Sequence, residues 1–230
     1  GKITVTWDAC TMSTYGSVSL SSSCQIQTSI SLTGAMTINV ASLRSSGEKL
    51  MLSMSDSMSP AINAGVYALT INGFEITDIK SDNKMVESTT GTIKLSGVHL
   101  KDNPRSTGSG SLFKTTGGHI VGESLVIDNS KGEVFEGASG GDISLADSII
   151  SNSATIIKQN GGAVVVRSVN VTGGKLADMN DATTVFEAVF TDGGDGIVAV
   201  RSAVQVERSG FKNHANAPIQ FDSRSCTKCK

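Results

Sequence analysis

The sequence predicts an all-β solenoid, and three observations predict it. An apolar pattern recurs along most of the chain, with two apolar residues separated by one residue and a third five positions beyond the second. Within each copy the apolar residues alternate as they do in strands, and no stretch keeps the helical period of about 3.6 residues. Gly, Ser, Asn or Asp bounds each short apolar segment, which is typical of turns between strands.

The repeat has a period of a little over twenty residues. The first clear copy runs from Leu69 to Asp78, and a degenerate copy is placed around Val185. The second apolar position of successive copies falls at residues 71, 95, 122, 145, 166, 185 and 206, so the steps are 24, 27, 23, 21, 19 and 21 residues. An earlier copy begins at Met36, and the Ser- and Met-rich stretch 45–60 that follows it is interpreted as a loop insertion. The expected coil therefore has about 20–27 residues.

A right-handed parallel β-helix accounts best for a repeat of this length. A leucine-rich repeat requires regularly placed Leu and helical segments, and a left-handed β-helix requires a six-residue period; the sequence has neither. Matching residues of stacked coils lie about 4.8 Å apart, so Ile127, Ile150 and Val171 are expected to form an interior ladder. Asp and Asn residues near the ends of the copies are expected where strands bend, capping the turns and bonding coil to coil. They are Asp78, Asn103, Asn129, Asn152, Asp192 and Asn213.

One domain is expected over residues 1–230, because the repeat runs through most of the chain. Residues 1–30 are expected to form an N-terminal cap coil, residues 31–220 the repeat coils, and residues 221–230 a C-terminal cap. Glycine pairs precede three successive copies at nearly the same offset, which indicates a recurrent turn. These pairs are Gly117-Gly118, Gly140-Gly141 and Gly161-Gly162.

Composition argues against several classes of partner. The formal net charge is −2 and the pI is about 5.9, so the sequence offers no strongly basic surface for nucleic acid. No apolar run reaches the roughly 18 residues that a membrane span requires. The chain begins without Met or a signal peptide, as expected if a secretion signal has been removed before residue 1.

Four cysteines fall in two local groups, Cys10 with Cys24 and Cys226 with Cys229, one near each end. Two disulfides that staple the end coils are expected, although three pairings of four cysteines are open. Cys226-Thr-Lys-Cys229 also matches a redox CxxC motif, which would require a helix N-terminus in a thioredoxin-like unit. A zinc site built from all four would require the two ends to meet. Disulfides indicate an oxidising compartment and hence secretion.

The coil pattern over residues 30–220 resembles that of the pectate-lyase-like superfamily. Hydrolases of that group carry an Asn-Thr-Asp strand motif, a paired Asp-Asp, a Gly-His-Gly and an Arg-Ile-Lys, and lyases carry an acidic calcium-binding cluster with a basic residue. The sequence has none of these, and Gly118-His119-Ile120 matches the third motif only in part. Aromatic residues, which form sugar platforms, make up 4% of the chain. A polysaccharide-binding or polysaccharide-degrading protein is therefore the alternative function.

Other candidate site residues have simple interpretations. His99, His119 and His214 occupy different offsets in their repeats and are interpreted as surface or turn histidines. Asp192 to Gly196 partly matches one calcium-binding nonapeptide, but such sites need tandem copies, so a turn is expected. Asn170-Val-Thr172 is an N-glycosylation sequon, which makes Asn170 the candidate glycosylated residue.

The glycine pairs and the Asn residues resemble the non-catalytic β-helix repeats of cell-surface adhesins and extracellular structural proteins. The residues that carry the resemblance are Gly117-Gly118-His-Ile120, Gly140-Gly141-Asp-Ile143, Gly161-Gly162-Ala-Val164, Asn129, Asn152 and Asn213. The resemblance implies a secreted, non-enzymatic structural or adhesive protein without a cofactor or metal. Expected partners are further copies of the chain, other surface proteins and glycans, as in an extracellular filament. Lys2 to Trp7 and Ile219 to Phe221 are the expected end surfaces.

Overall fold

The described part of the protein is a parallel β-solenoid of about nine coils. The computed structural model describes residues 8–41, 49–56, 58–79, 83–103 and 110–222. These residues form 24 strands and no helix, so the all-β solenoid predicted from the repeat is confirmed. Within the same ranges, no helix has the length and apolarity that crossing a membrane requires.

The strands are short and evenly distributed. The first three coils contain β1 (Gly16–Leu20), β2 (Cys24–Ile26), β3 (Ile30–Ser31), β4 (Met36–Val40), β5 (Met51–Met54), β6 (Ile62–Gly65), β7 (Leu69–Asn72), β8 (Glu75–Thr77) and β9 (Val86–Ser88). The next three contain β10 (Thr92–Ser96), β11 (His99–Lys101), β12 (Ser111–Thr115), β13 (His119–Glu123), β14 (Val126–Asp128), β15 (Glu133–Gly137), β16 (Asp142–Ser151) and β17 (Thr155–Asn160). The last three contain β18 (Ala163–Thr172), β19 (Lys175–Asn180), β20 (Thr183–Asp192), β21 (Gly196–Val200), β22 (Ala203–Glu207), β23 (Gly210–Lys212) and β24 (Ile219–Asp222).

Each coil places one strand segment on each of three faces. The first face contains β1, β4, β7, β10, β13 and β22, and the second contains β2, β5, β8, β11, β14 and β23. The third face is the nine-stranded sheet β3, β6, β9, β12, β15, β17, β19, β21 and β24. The ten-residue strands β16, β18 and β20 turn the corner between the first two faces and contribute to both.

The register between coils fixes the true repeat. First-face partners in successive coils are Val18, Ile38, Ile71, Leu95, Gly122, Leu145, Val166, Phe186 and Val206, in steps of 20, 33, 24, 27, 23, 21, 20 and 20 residues. The copy beginning at Met36 is confirmed. The copy placed at Val185 is wrong by one residue, because Phe186 fills the core position and Val185 lies on the outer side beside Val165. Both residues are apolar, so the pattern alone does not distinguish them.

The core is the interior ladder that the repeat predicts. Ile127, Ile150 and Val171 pair in register and are buried, as predicted. Beneath the third face, Phe113 and Phe135 pair in adjacent coils with ring centroids 5.7 Å apart. A fully buried apolar side chain of this size contributes about 1.5–3 kcal/mol, so stability is distributed over the whole stack.

The corner between the second and third faces is a row of residues with positive φ. The row consists of Asp78, Asp102, Asn129, Asn152, Gly173, Gly193 and Asn213. Asn and Asp tolerate this conformation better than most side chains, which is why they recur here. Asn103 and Asp192 are also predicted to lie where the strands bend. Asn103 lies one residue after the corner and Asp192 one residue before it, so the prediction is wrong by one position for both. Coil-to-coil bonding is confirmed: Asn129 Nδ2 donates to Asp102 Oδ1, and Asn213 Nδ2 to Asp192 Oδ1, each at 2.7 Å.

A polar residue that follows a corner residue ties consecutive coils together. Ser153 Oγ accepts a bond from Ser130 N at 3.2 Å and donates to Ser151 O at 2.8 Å. Ser148, Ser202 and Ser209 make the same pair of bonds at their own corners. Asn103 has a related role, since its Oδ1 accepts from Ile79 N at 3.1 Å. These side chains satisfy backbone donors that the turn would otherwise leave unpaired.

The predicted glycine turn lies at the corner between the third and first faces. Gly118, Gly141 and Gly162 occupy it in successive coils, and Gly91 extends the row by one coil. A Cβ on Gly118 would stand 2.1 Å from the Gly91 carbonyl oxygen, and one on Gly162 would stand 2.5 Å from that of Gly141. A larger residue at either position would therefore push the preceding coil away.

The stretch 45–60, interpreted as a loop insertion, contains strand β5. Its Leu52 pairs with Cys24 on one side and Ile76 on the other, and both Leu52 and Met54 are buried. These residues therefore complete a coil. The burial of β5 does not alternate, because three consecutive residues, from Leu52 to Met54, are buried.

Cys10 and Cys24 form a disulfide with their Cα atoms 5.0 Å apart. The bond fastens the segment around Ala9 to β2, where Ala9 also forms a parallel bridge with Gln25. The staple predicted near the N-terminal end is therefore present. Cys226 and Cys229 lie outside the described residues.

Candidate binding surface

The second face carries two outward rows of side chains that run across the coils. One, the Phe190 row, consists of Val126, Ile149, Asn170, Phe190 and Gly210. The other, the Asp192 row, consists of Asp128, Ser151, Thr172, Asp192 and Lys212. Two residues along a strand separate the rows, about 6.6 Å, and successive coils are about 4.8 Å apart.

The Phe190 row is an exposed, largely apolar stripe. Ile149 is 56% exposed and Phe190 is 52% exposed, which is unusual for large apolar side chains in this otherwise well-buried chain. Asn170 lies between them and is also exposed. The stripe is therefore not a continuous apolar patch, because an amide interrupts it.

A glycine positions the aromatic ring. Phe190 pairs with Gly210 in the next coil, and a Cβ on Gly210 would stand 3.1 Å from Phe190 Cδ1 and 3.5 Å from Cε1. The ring therefore leans over the space that a side chain at position 210 would occupy. This contact leaves part of the ring open to solvent beside the Asp192 row.

Charged and polar groups border the ring. Asp192 forms an ion pair with Lys212 at 3.1 Å and accepts a hydrogen bond from Asn213 Nδ2 at 2.7 Å. The hydrogen bond from Asn213, followed by the one from Lys212, holds the pKa of Asp192 below its usual range. The carboxylate is therefore ionised at neutral pH, and its charge is balanced by the ammonium group beside it.

The coil beneath the ring is held by hydrogen bonds. His214 Nδ1 lies 3.0 Å from Gly194 O and must donate to it, so in the neutral ring Nε2 accepts from Thr191 Oγ1 at 2.8 Å. The Phe211 ring packs near this imidazole, with centroids 6.3 Å apart. The strand that carries Phe190 is thus tied to the following coil directly below the exposed ring.

Residues of the Phe190 row and the Asp192 row line a surface groove of about 460 Å³, which we call the Phe190 groove. Its outward lining is Asn170, Thr172, Phe190, Asp192, Gly210 and Lys212. The volume falls in the range of about 300–1,000 Å³ that is typical of small-molecule sites. One aromatic platform with an amide, a hydroxyl, a carboxylate and an ammonium group around it can stack on a ligand and orient it through hydrogen bonds.

The predicted sequon contributes directly to this groove. Asn170 and Thr172 point to the same side of β18 and are both exposed, so the sequon is accessible. Its use as a glycosylation site stays a prediction. The neighbours of Asn170 in the adjacent coils are Ile149 and Phe190, and no local motif indicates them.

The three histidines lie at three different places, as their offsets predict. His99 on the second face has its Nδ1 3.3 Å from Glu75 Oε2, and His119 on the first face has its Nδ1 3.2 Å from Asp142 Oδ2. His214 follows the second face in the last described coil, where its ring is bonded to Thr191 and Gly194. Among the described residues, no three His, Cys, Asp or Glu side chains are grouped so that they could hold a metal ion.

Comparisons with protein-family models, curated proteins and solved structures give no match to this chain.

Proposed function

We propose that the protein is a secreted, non-enzymatic structural or adhesive element of an extracellular or cell-surface assembly. The observation that carries this proposal is the strand edge of the last coil that the structure describes, residues 203–222. Among the described residues, β22, β23 and β24 each pair with strands on one side only. A strand edge of this kind presents unpaired N–H and C=O groups to another chain.

The last coil also exposes residues at core positions. Val206 is 37% exposed, although its partner Phe186 in the preceding coil is fully buried. Ile219 and Phe211 are likewise only partly buried at positions that continue interior rows. Ile219 belongs to the end surface predicted from the sequence; Lys2 to Trp7, the other predicted end, lies outside the described residues.

Addition of a second copy to this coil would continue the solenoid. Such a contact joins different ends of two identical chains, so it repeats and produces a filament. The lateral faces would remain available along the filament, and the Phe190 groove would recur once per subunit. That arrangement suits adhesion, because repeated weak sites give high avidity.

A non-enzymatic role is supported by the pairing of acidic side chains. Glu136 pairs with Lys114 at 2.8 Å, Glu123 with Lys94 at 2.9 Å, and Asp192 with Lys212 at 3.1 Å. A general acid or base in a sugar cleft requires two carboxylates facing one bond. The partnered carboxylates here are suited to holding coils together.

The test is the mass distribution by sedimentation velocity over a wide concentration range, with electron microscopy of the concentrated sample. Wild-type protein is expected to form end-to-end oligomers in multiples of 23.7 kDa. Val206→Lys should weaken assembly, because it places a charge on the open end. Val185→Lys, which adds the same charge to the first lateral face, should not. Monomers at every concentration, or equal loss in both variants, would overturn end-to-end association.

A further inference from the structure

We propose that the Phe190 groove binds one neutral pyranose ring of an extracellular glycan. This inference names the ligand class for the adhesive part of the proposed function and rests on it, but it does not require end-to-end association. The groove combines an exposed aromatic ring with four kinds of polar group.

The ring provides the platform. The face of an aromatic ring carries partial negative charge and attracts polarised C–H groups, which a pyranose presents on its flat side. Phe190 is half exposed, and its position over Gly210 keeps it close to the strand. The exposed edge and face therefore lie along the groove, where a flat ligand can stack.

The polar groups match the hydroxyls of a sugar. Asn170 offers a donor and an acceptor one coil before the ring, and Thr172 offers a hydroxyl two residues further along the same strand. Asp192, an acceptor, and Lys212, a donor, continue the row of Thr172 in the next two coils. The spacings between rows and between coils place the strand positions of these groups about 5–8 Å from that of Phe190. The groups are therefore within the reach of hydroxyls on a stacked pyranose.

Charge balance favours a neutral sugar. The ammonium group of Lys212 is paired with the ionised Asp192, so the groove offers no uncompensated cation for a uronic acid or a sulfate. An apolar peptide segment fits less well, because Asn170 divides the apolar stripe between Ile149 and Phe190. A ligand with one flat apolar face and a polar rim satisfies both constraints.

The experiment uses the full chain produced without glycosylation, since a glycan attached to Asn170 would border the same platform and compete. The protein is screened against an array of neutral and anionic oligosaccharides, and the strongest neutral ligand is titrated by calorimetry. Wild-type protein is expected to bind neutral glycans. Phe190→Ala should weaken binding about tenfold or more, and Phe190→Trp should retain it, because a larger platform replaces the first.

Two further variants separate stacking from general apolar contact. Ile149→Ala removes an equally exposed apolar side chain from the same row and should leave affinity unchanged within about twofold. Gly210→Ala keeps Phe190 but would place a Cβ 3.1 Å from its ring, so it should weaken binding by displacing the platform.

The outcomes that overturn the inference are distinct. They are failure of the wild-type protein to bind any neutral glycan, binding that survives Phe190→Ala, and equal losses in Ile149→Ala and Phe190→Ala. Each variant is first checked for a wild-type unfolding midpoint, so a loss of fold is not mistaken for a loss of binding. Sedimentation of the same samples reports end-to-end assembly separately, so failure of one proposal is not read as failure of the other.

Discussion

The second and third faces use the same stacking geometry to opposite effect. On the third face, the outward row of Glu87, Lys114, Glu136, Lys158 and Asp178 alternates in charge from coil to coil. On the second face, the Phe190 row places exposed Ile149 and Phe190 on either side of Asn170 and ends at a glycine. The third-face row, which we call the charged row, thus alternates in sign. The Phe190 row instead leaves large apolar side chains exposed.

The difference shows that the side chains stacked in a row determine what a face of the solenoid can bind. In-register coils bring each side chain within about 5 Å of its counterparts above and below, so each position is defined by a row and not by one residue. In the row that alternates in sign, Lys114 and Glu136 pair with each other at 2.8 Å. The other members of the row, Glu87, Lys158 and Asp178, pair with Lys84, Glu133 and Lys175 beside it. Where an aromatic residue meets a glycine, the row leaves a recess that a ligand can fill.

The largest expected effect is the difference in unfolding free energy between two Phe→Ala variants, one on the buried side of the third face and one on the exposed side of the second. Phe135→Ala deletes a fully buried ring that packs on Phe113, and should lower the free energy of unfolding by about 3–5 kcal/mol. Phe190→Ala deletes an identical side chain that is half exposed, and should change it by less than about 1 kcal/mol. Urea denaturation of both variants measures the difference; similar losses would show that the Phe190 row belongs to the core.

An intermediate effect is expected for the charged row. Lys114→Ala leaves Glu136, whose side chain is 16% exposed, without its ion-pair partner, and should cost about 1–3 kcal/mol. The control is Arg167→Ala on the first face, where Arg167 is 58% exposed in its pair with Glu187 and should contribute less than about 1 kcal/mol. Chemical denaturation at low and high salt compares the two variants, and an equal cost would contradict the larger contribution expected of the more buried ion pair.

The smallest expected effect concerns the pH dependence of stability, which differs between the second and the third face. Burial lowers the pKa of His99 on the second face, outweighing the Glu75 carboxylate that raises it; Lys49 and Lys101 lower it further, and Asp128 raises it. The folded state therefore favours the neutral imidazole. The contribution of His99 to the free energy of unfolding is fully present above its unfolded-state pKa of about 6.5, and it is lost as pH falls below that value.

The third face responds at lower pH. Burial alone would raise the pKa of Glu136, but hydrogen bonds from Lys114 and Ser111 outweigh it, and the pKa lies below its ordinary value. Its contribution is present above an unfolded pKa of about 4.3 and is lost as pH falls further. His99→Gln should therefore flatten the slope of unfolding free energy just below about pH 6.5 without changing the slope below about pH 4.3. An unchanged upper slope would contradict the role of His99.

Much of the fold is predictable because the core obeys a simple alternation. Ile127, Ile150 and Val171 are separated by about one coil and lie where the apolar spacing predicts. Glycine turns are predictable for a similar reason, since a position with no room for a Cβ leaves the same signature in each copy. Alternation does not distinguish Val185 from Phe186, because both are apolar, and it does not predict β5, because the burial of that strand does not alternate.

The Phe190 groove is less predictable than the core. Its residues Asn170, Phe190 and Gly210 are each twenty residues apart, and nothing local distinguishes them from other outward positions. The alternating charges of the third face are similarly dispersed, since Glu87 and Lys114 are separated by 27 residues but Lys114 and Glu136 by 22. Turns of variable length prevent a fixed period from revealing such rows.

The sequence by itself determined that this chain winds into an all-β solenoid with an apolar interior, because burial imposes the same constraint on every copy of the repeat. Only the tertiary structure decided which outward residues meet, because a shift of a single residue in one turn moves every later side chain to a different row. The Phe190 groove and the charged row are therefore properties of the register between coils, and the interior ladder is a property of the chain.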